Sequence, residues 1–157
     1  MSALARLLAA AVLIAVPARA DIWDPLDNGT TTTNELANGD EQSHTLVAQA
    51  GNTADEDWYE ILQAGIASYE ITVSGLSSDV TPVSLQLVDF NGNVLQSGGG
   101  FGDSRFLRLE RTVPSSDGSK FVRVKSGGCT TGCPATSTYT IRARETTYAI
   151  PRFNNSA

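Results

Sequence analysis

The tightest restriction on this chain is a rhythm of two residues. Tyr69, Ile71 and Val73 fall on one side of an extended segment, with Glu70 and Thr72 on the other. Successive side chains of a strand point to opposite faces, so this alternation predicts a strand buried on one side only. The pattern recurs in Val83, Leu85 and Leu87 against Ser84 and Gln86, and in Val122 and Val124 against Arg123 and Lys125. It appears again in Tyr139, Ile141 and Ala143 against Thr140 and Arg142. Strands are accordingly expected at 43–48, 57–63, 67–74, 82–90, 93–97, 105–112, 120–126 and 137–144. Asn-Gly in "DFNGNV" and Asp-Gly in "SSDGSK" mark tight turns between them. Each strand carries one apolar face, and such faces are buried by stacking two sheets. The expected fold is all-β, an antiparallel β-sandwich of seven to eight short strands, with a closed barrel as the alternative.

Residues 1–20, "MSALARLLAAAVLIAVPARA", stand apart from this pattern. A lone Arg6, an apolar run from Leu7 to Val16 and Ala18-Arg19-Ala20 have the layout of a secretory signal peptide with a small-x-small cleavage site. The apolar run is far short of the roughly 18 residues that a spanning helix needs. Cleavage after Ala20 leaves 137 residues, enough for one domain with a real core. Residues 21–42 are polar and rich in turn signals, an acidic irregular lead-in; 43–147 hold the sandwich. The tail at 148–157 restarts an apolar pattern, as though a further element should follow. The protein is expected to be secreted, periplasmic or displayed at the cell surface.

Charge is divided along the chain. Asp21 to Ser104 contains 14 acidic residues and no Lys or Arg, whereas Arg105 to Ala157 contains nine basic residues against three acids. So acidic a half repels nucleic acid phosphates. It favours a bound cation or pairing with the basic half of the same fold.

Cys129 and Cys133, in "GGCTTGCPA", are expected to close a local disulfide, with free thiols as the alternative. Zinc wants about four ligands, and none besides these two is near in sequence. Catalytic patterns are lacking: there is no G-x-S-x-G elbow. His44 falls in a predicted strand and is expected to be a surface or edge imidazole. "QSGGGFGDS" lacks the Gly-Lys-Ser/Thr of a phosphate-binding loop and is expected to be a mobile hairpin connection.

The acids are more informative. "DPLDNG" offers Asp24, Asp27 and Asn28, and "ADEDW" offers Asp55, Glu56 and Asp57. Calcium takes roughly 6–8 oxygen ligands from such groups, and a divalent cation would remove the repulsion between two carboxylate-rich segments that meet. An EF-hand is excluded, because Leu26 occupies ligand position 3, Pro25 sits inside the loop and neither flank reads as helix. Two other roles for the acids at 55–57 stand beside calcium: solubilising an edge strand, or pairing with Arg105, Arg108 or Arg111.

Asp24-Pro25-x-Asp27-Asn28, the Thr-rich stretch, "HTLVAQAG", "DEDWYEI", "GIASYEITVSG", "VSLQLVDFNGNVL" and "STYTIRA" follow one another in an order that resembles the bacterial pre-peptidase C-terminal (PPC) domain. They are similar also to the collagen-binding domains of clostridial collagenases. The likeness spans about residues 24–144. It implies a jelly-roll-like β-sandwich without catalytic activity, found beside secreted peptidases and other exported proteins. In the calcium-binding members, acids before the first strand join an Asp at the head of the Asp-aromatic strand. The resemblance therefore implies Asp24, Asp27 and Asp57 as calcium ligands, with Asn28 as a further donor and Asp55 close by at a different offset. Ile22 stands where a further upstream acid would help. The resemblance also implies that Tyr59 and Ile61 point inward and that Trp58 and Glu60 point outward or lie at the rim.

The function expected is that of an exported, non-catalytic, calcium-stabilised accessory module. It would serve binding, targeting or processing of a larger secreted or surface protein. Its partners would be an extracellular polymer or another domain of a longer chain. One alternative is an adhesion module for carbohydrate or fibrous protein, with a flat face drawn from Trp23, Trp58, Phe101 and Phe106. The other is a secreted hydrolase, for which only His44 is on offer.

Overall fold

The computed structural model describes residues 21–24, 26–27, 29–47, 55–62, 68–77, 83–109, 121–127, 129, 133–134 and 136–146. The signal segment, Asn28, Arg111, the "SSDGSK" turn and the tail from 147 onward lie outside the described residues. Regular structure consists of a 3-10 turn at Gly29–Thr31 and the strands β1 (Glu35–Leu36), β2 (Glu41–Thr45), β3 (Glu56–Ile61), β4 (Ser68–Ser74) and β5 (Val83–Val88). These are followed by β6 (Val94–Ser97), β7 (Gly99–Phe101), β8 (Ser104–Leu109), β9 (Phe121–Ser126) and β10 (Thr138–Thr146).

The strands form two five-stranded sheets, ordered β1-β3-β9-β5-β6 and β2-β10-β4-β8-β7. All neighbours are antiparallel except β1 and β3, which run parallel with Leu36 opposite Ile61. The alternation read from sequence sets the register. Ile71 of β4 lies between Leu107 of β8 and Ala143 of β10, while Leu85 and Leu87 of β5 lie opposite Val124 and Val122 of β9. These inward residues merge with Leu36, Leu46, Tyr59 and Tyr139 into one core between the sheets. Among the described residues the fold is an antiparallel β-sandwich, as expected, with ten strands where the sequence suggested seven to eight.

Both additions have a physical reason. β1 lies in the segment expected to be irregular; too short to show alternation, it is held by the backbone of β3. β7 lies in the glycine run expected to be a hairpin connection. Between β6 and β7 the chain crosses from one sheet to the other, and it can do so only where backbones touch. A Cβ on Gly98 would stand 2.7 Å from the Phe106 carbonyl oxygen, and one on Gly100 would stand 2.5 Å from that of Ser104. Glycine is what permits so close an approach.

The "DFNGNV" turn forms as expected. The Asp89 carboxylate accepts from the Asn91 and Asn93 backbone amides at 2.9 and 2.8 Å and from the Asn93 side chain at 2.9 Å. The sulfurs of Cys129 and Cys133 are 2.17 Å apart, disulfide distance. Among the described residues no helix is long and apolar enough to cross a membrane.

Candidate metal centre

The lead-in is fastened along β3 by backbone hydrogen bonds. Trp58 N–H donates to the Asp27 carbonyl (2.9 Å), Glu60 N–H to that of Asn34 (2.9 Å) and Leu62 N–H to that of Leu36 (3.2 Å). Thr32 reinforces the seam: its hydroxyl lies 2.8 Å from the Leu26 carbonyl oxygen and 2.9 Å from that of Trp58, and accepts from Asn34 N–H at 3.1 Å. Because Asp27 is bonded to the residue that follows Asp57, the two carboxylates are brought together by main-chain geometry.

Alternation along β3 sorts the three acids at its head. Asp57 points inward with Tyr59, and Asp55 is buried with it. Glu56 points outward with Trp58, where Arg123 Nη1 lies 3.3 Å and Lys125 Nζ 3.5 Å from its carboxylate. Pairing with the basic half of the chain is therefore real, but among the described residues it involves Glu56 alone of the three, and the bases come from β9. Arg105 instead donates to the carbonyls of Val83, Gly102 and Ser104.

Ligand atoms of Asp24, Asp55 and Asp57, all three buried, lie within 4.8 Å of one another. Burial raises Asp55 from its ordinary 3.8 to about 7, and the charges of Asp24, Asp27 and Asp21 push the same way. Asp27 rises to about 7 as well, through burial and then the charges of Asp21 and Asp24. Asp57 is driven well up by burial and by Asp55, against the hydrogen bond from Tyr139. That bond belongs to a relay: Tyr139 donates to Asp57, so Tyr59, 2.6 Å from Tyr139, must donate to the Tyr139 oxygen. Among the described residues, no donor reaches Asp55 Oδ2, Asp57 Oδ1 or either oxygen of Asp27. Buried carboxylate oxygens without donors are costly unless protonated or bound to a cation.

A second group, Asp21, Asp27 and His44, has its ligand atoms equally close. His44 is buried, contrary to the expectation of a surface or edge imidazole. It does sit on an edge strand, yet its ring is stacked between Trp23 and Tyr139 and meets the edge of Tyr59. Strand alternation could have found it, since His44 shares a face with the buried Leu46. Asp21 was hidden by its position at the expected cleavage point.

No family model matches this sequence, and no curated protein matches it. Among solved structures, the chain is similar to the pre-peptidase C-terminal domain of collagenase from Bacillus anthracis. The TM-score is 0.51 at 16% identity, covering 71% of this chain and 93% of that one. The fold is that of a PPC domain.

Within this PPC fold, the sequence-predicted ligands separate into two sets. Asp24, Asp55 and Asp57 form the all-carboxylate cluster, with Asp27 beside it and also facing His44. Asn28 lies outside the described residues. Tyr59 points inward and Ile61 packs on the core, as implied. Trp58 does belong to the outer face, but it is buried there against Phe121 and Val88, with the Arg123 guanidinium 5.1 Å above its ring. Of the four aromatic residues named for a flat face, Trp58 is covered, Trp23 packs on His44, and Phe101 and Phe106 are exposed.

Proposed function

We propose that this protein is an exported, non-catalytic accessory module whose lead-in is locked to its β-sandwich by calcium. The observation that carries this is the convergence of Asp24, Asp55 and Asp57, three buried carboxylates from two segments 31 residues apart at their closest. Oxygen-only donors suit a hard cation such as calcium, with Asp27 and Asn28 close enough in sequence to complete the set. The likeness to a PPC domain supports a module that serves a larger secreted or surface protein. The hydrolase alternative draws less support: among the described residues the polar side-chain partners of His44 are Gln42, Asp21 and Asp27.

The test is a thermal melt of the purified protein after chelation and after calcium is restored. Chelation is expected to lower the melting temperature and calcium to recover it, while Asp57→Asn should make the two melts coincide. Identical melts of the unaltered protein with and without calcium would remove the site.

A further inference from the structure

We propose that Asp21, Asp27 and His44 form a second cation site, chemically distinct from the first, which takes a transition-metal divalent ion of the zinc class through His44 Nδ1. This goes beyond the calcium reading and shares only Asp27 with it.

The tautomer of His44 is fixed by its surroundings. Gln42 donates through Nε2 to the Glu35 carbonyl at 2.9 Å, so its Oε1 is the atom 3.0 Å from His44 Nε2. An amide oxygen only accepts; His44 Nε2 therefore carries the proton and Nδ1 keeps its lone pair. Two carboxylate oxygens lie near that nitrogen, 3.6 Å away on Asp21 and 3.7 Å away on Asp27. Nδ1 is buried and has no hydrogen-bond partner among the described residues. The Asp21 oxygen already accepts from Thr45 N–H at 2.6 Å. Asp27 Oδ2 and His44 Nδ1 have no donor among the described residues, and a cation between the three atoms would satisfy both.

The spacing and the donors say which kind. Ligands at about 2.0–2.2 Å in tetrahedral arrangement lie roughly 3.4 Å apart, within a few tenths of the 3.6 and 3.7 Å from His44 Nδ1 to the two carboxylates. The ligand oxygens of those carboxylates lie within 4.8 Å of each other. Imidazole nitrogen suits zinc-class metals, whereas calcium prefers oxygen. The outer sphere is also built. Gln42 holds the far nitrogen of the ring, and the Asp21 carboxylate accepts from Trp23 N–H at 2.8 Å and Thr45 N–H at 2.6 Å. Such partners orient metal ligands. Charge balance points the same way. Asp21, Asp24, Asp27, Asp55 and Asp57, grouped in two clusters, together carry five negative charges when ionised. One divalent ion would leave most of that charge in place; two nearly cancel it.

The chain has a single histidine, so its imidazole nitrogens report on the site without ambiguity. Protein labelled with heavy nitrogen is stripped by chelator, saturated with calcium and titrated with zinc, followed by calorimetry and by long-range imidazole spectra. One equivalent of zinc is expected to bind, shifting Nδ1 away from the lone-pair position while Nε2 stays protonated. Cobalt in place of zinc should give a visible absorption band that zinc, and not calcium, abolishes. His44→Gln should remove zinc binding. Should that variant fail to fold, Asp21→Asn decides: it should keep the circular dichroism spectrum and weaken zinc by at least about tenfold, the lower bound for losing even an outer-sphere partner. Zinc binding unchanged in the folded variants, a protonated Nδ1 in the zinc-loaded protein, or displacement of cobalt by calcium would each overturn the proposal. Zinc binding that persists in a protein indifferent to calcium would remove the calcium reading and leave this one standing.

Discussion

Without a bound cation the acidic cluster should be a pH-dependent liability, and its size can be worked out. Asp27 and Asp55 each rise from 3.8 to about 7 in the folded chain. Between these values the folded protein holds protons that the unfolded chain has released, so stability falls as pH rises. From about pH 5 to pH 7, at about 1.4 kcal/mol per pH unit, the two carboxylates together lose about 5 kcal/mol. His44 works in the opposite direction. Burial lowers it from 6.5 to about 4, so the unfolded chain binds the extra proton and stability grows as pH rises toward 6.5. Over the same range it returns about 2 kcal/mol. The carboxylates win by about 3 kcal/mol, and Asp57, also raised, adds to the loss. At about 3 °C per kcal/mol for a domain of this size, the chelated protein should melt about 10 °C lower at pH 7.5 than at pH 5. Calorimetric scans at the two pH values, with chelator and with calcium, measure this directly. Calcium should flatten or reverse the trend, because it binds the ionised carboxylates and competes with protons. A chelated protein that melts higher at pH 7.5 than at pH 5 would refute the reasoning.

Other outcomes test the parts around the cluster. Tyr139→Phe removes the donor to Asp57 and the acceptor for Tyr59; chemical denaturation should show a loss of about 3 kcal/mol. Trp58→Ala strips the outer cluster from beneath Arg123 and should cost about 3–5 kcal/mol in the same assay. Cys129 and Cys133 should resist thiol reagents in the folded protein until reduced, and reduction of so short a loop should cost about 2 kcal/mol.

Much of the sandwich was legible in the sequence because its strands obey alternation. Tyr69, Ile71 and Val73, or Val83, Leu85 and Leu87, signal their inward face without knowledge of any partner. What escaped notice depends on contacts between segments. Leu36 lies in too short a strand to show a pattern, and Gly98 and Gly100 looked like slack when they mark a crossing. Acid-rich segments and a family resemblance pointed to Asp24, Asp27, Asn28, Asp55 and Asp57 as one set. The structure gathers Asp24, Asp55 and Asp57 and groups Asp27 with Asp21 and His44. The partition of Glu56 to the outer face follows from alternation once the start of β3 is known. His44 was misjudged because a polar residue on an edge strand normally faces water. Here Trp23 and Tyr139 enclose it, and neither is near it in sequence.

β10 supplies Tyr139 directly opposite His44 on β2. The hydroxyl that steadies Asp57 thus comes from the last described strand, while Asp21, Asp24 and Asp27 belong to the opening turns of the sandwich. Asp21 and Tyr139 are 118 residues apart in sequence, so a cation held as proposed would be enclosed only after β10 has paired with β2. Without that strand, Asp57 would lose the hydroxyl that donates to it while its acidic neighbours stayed in place.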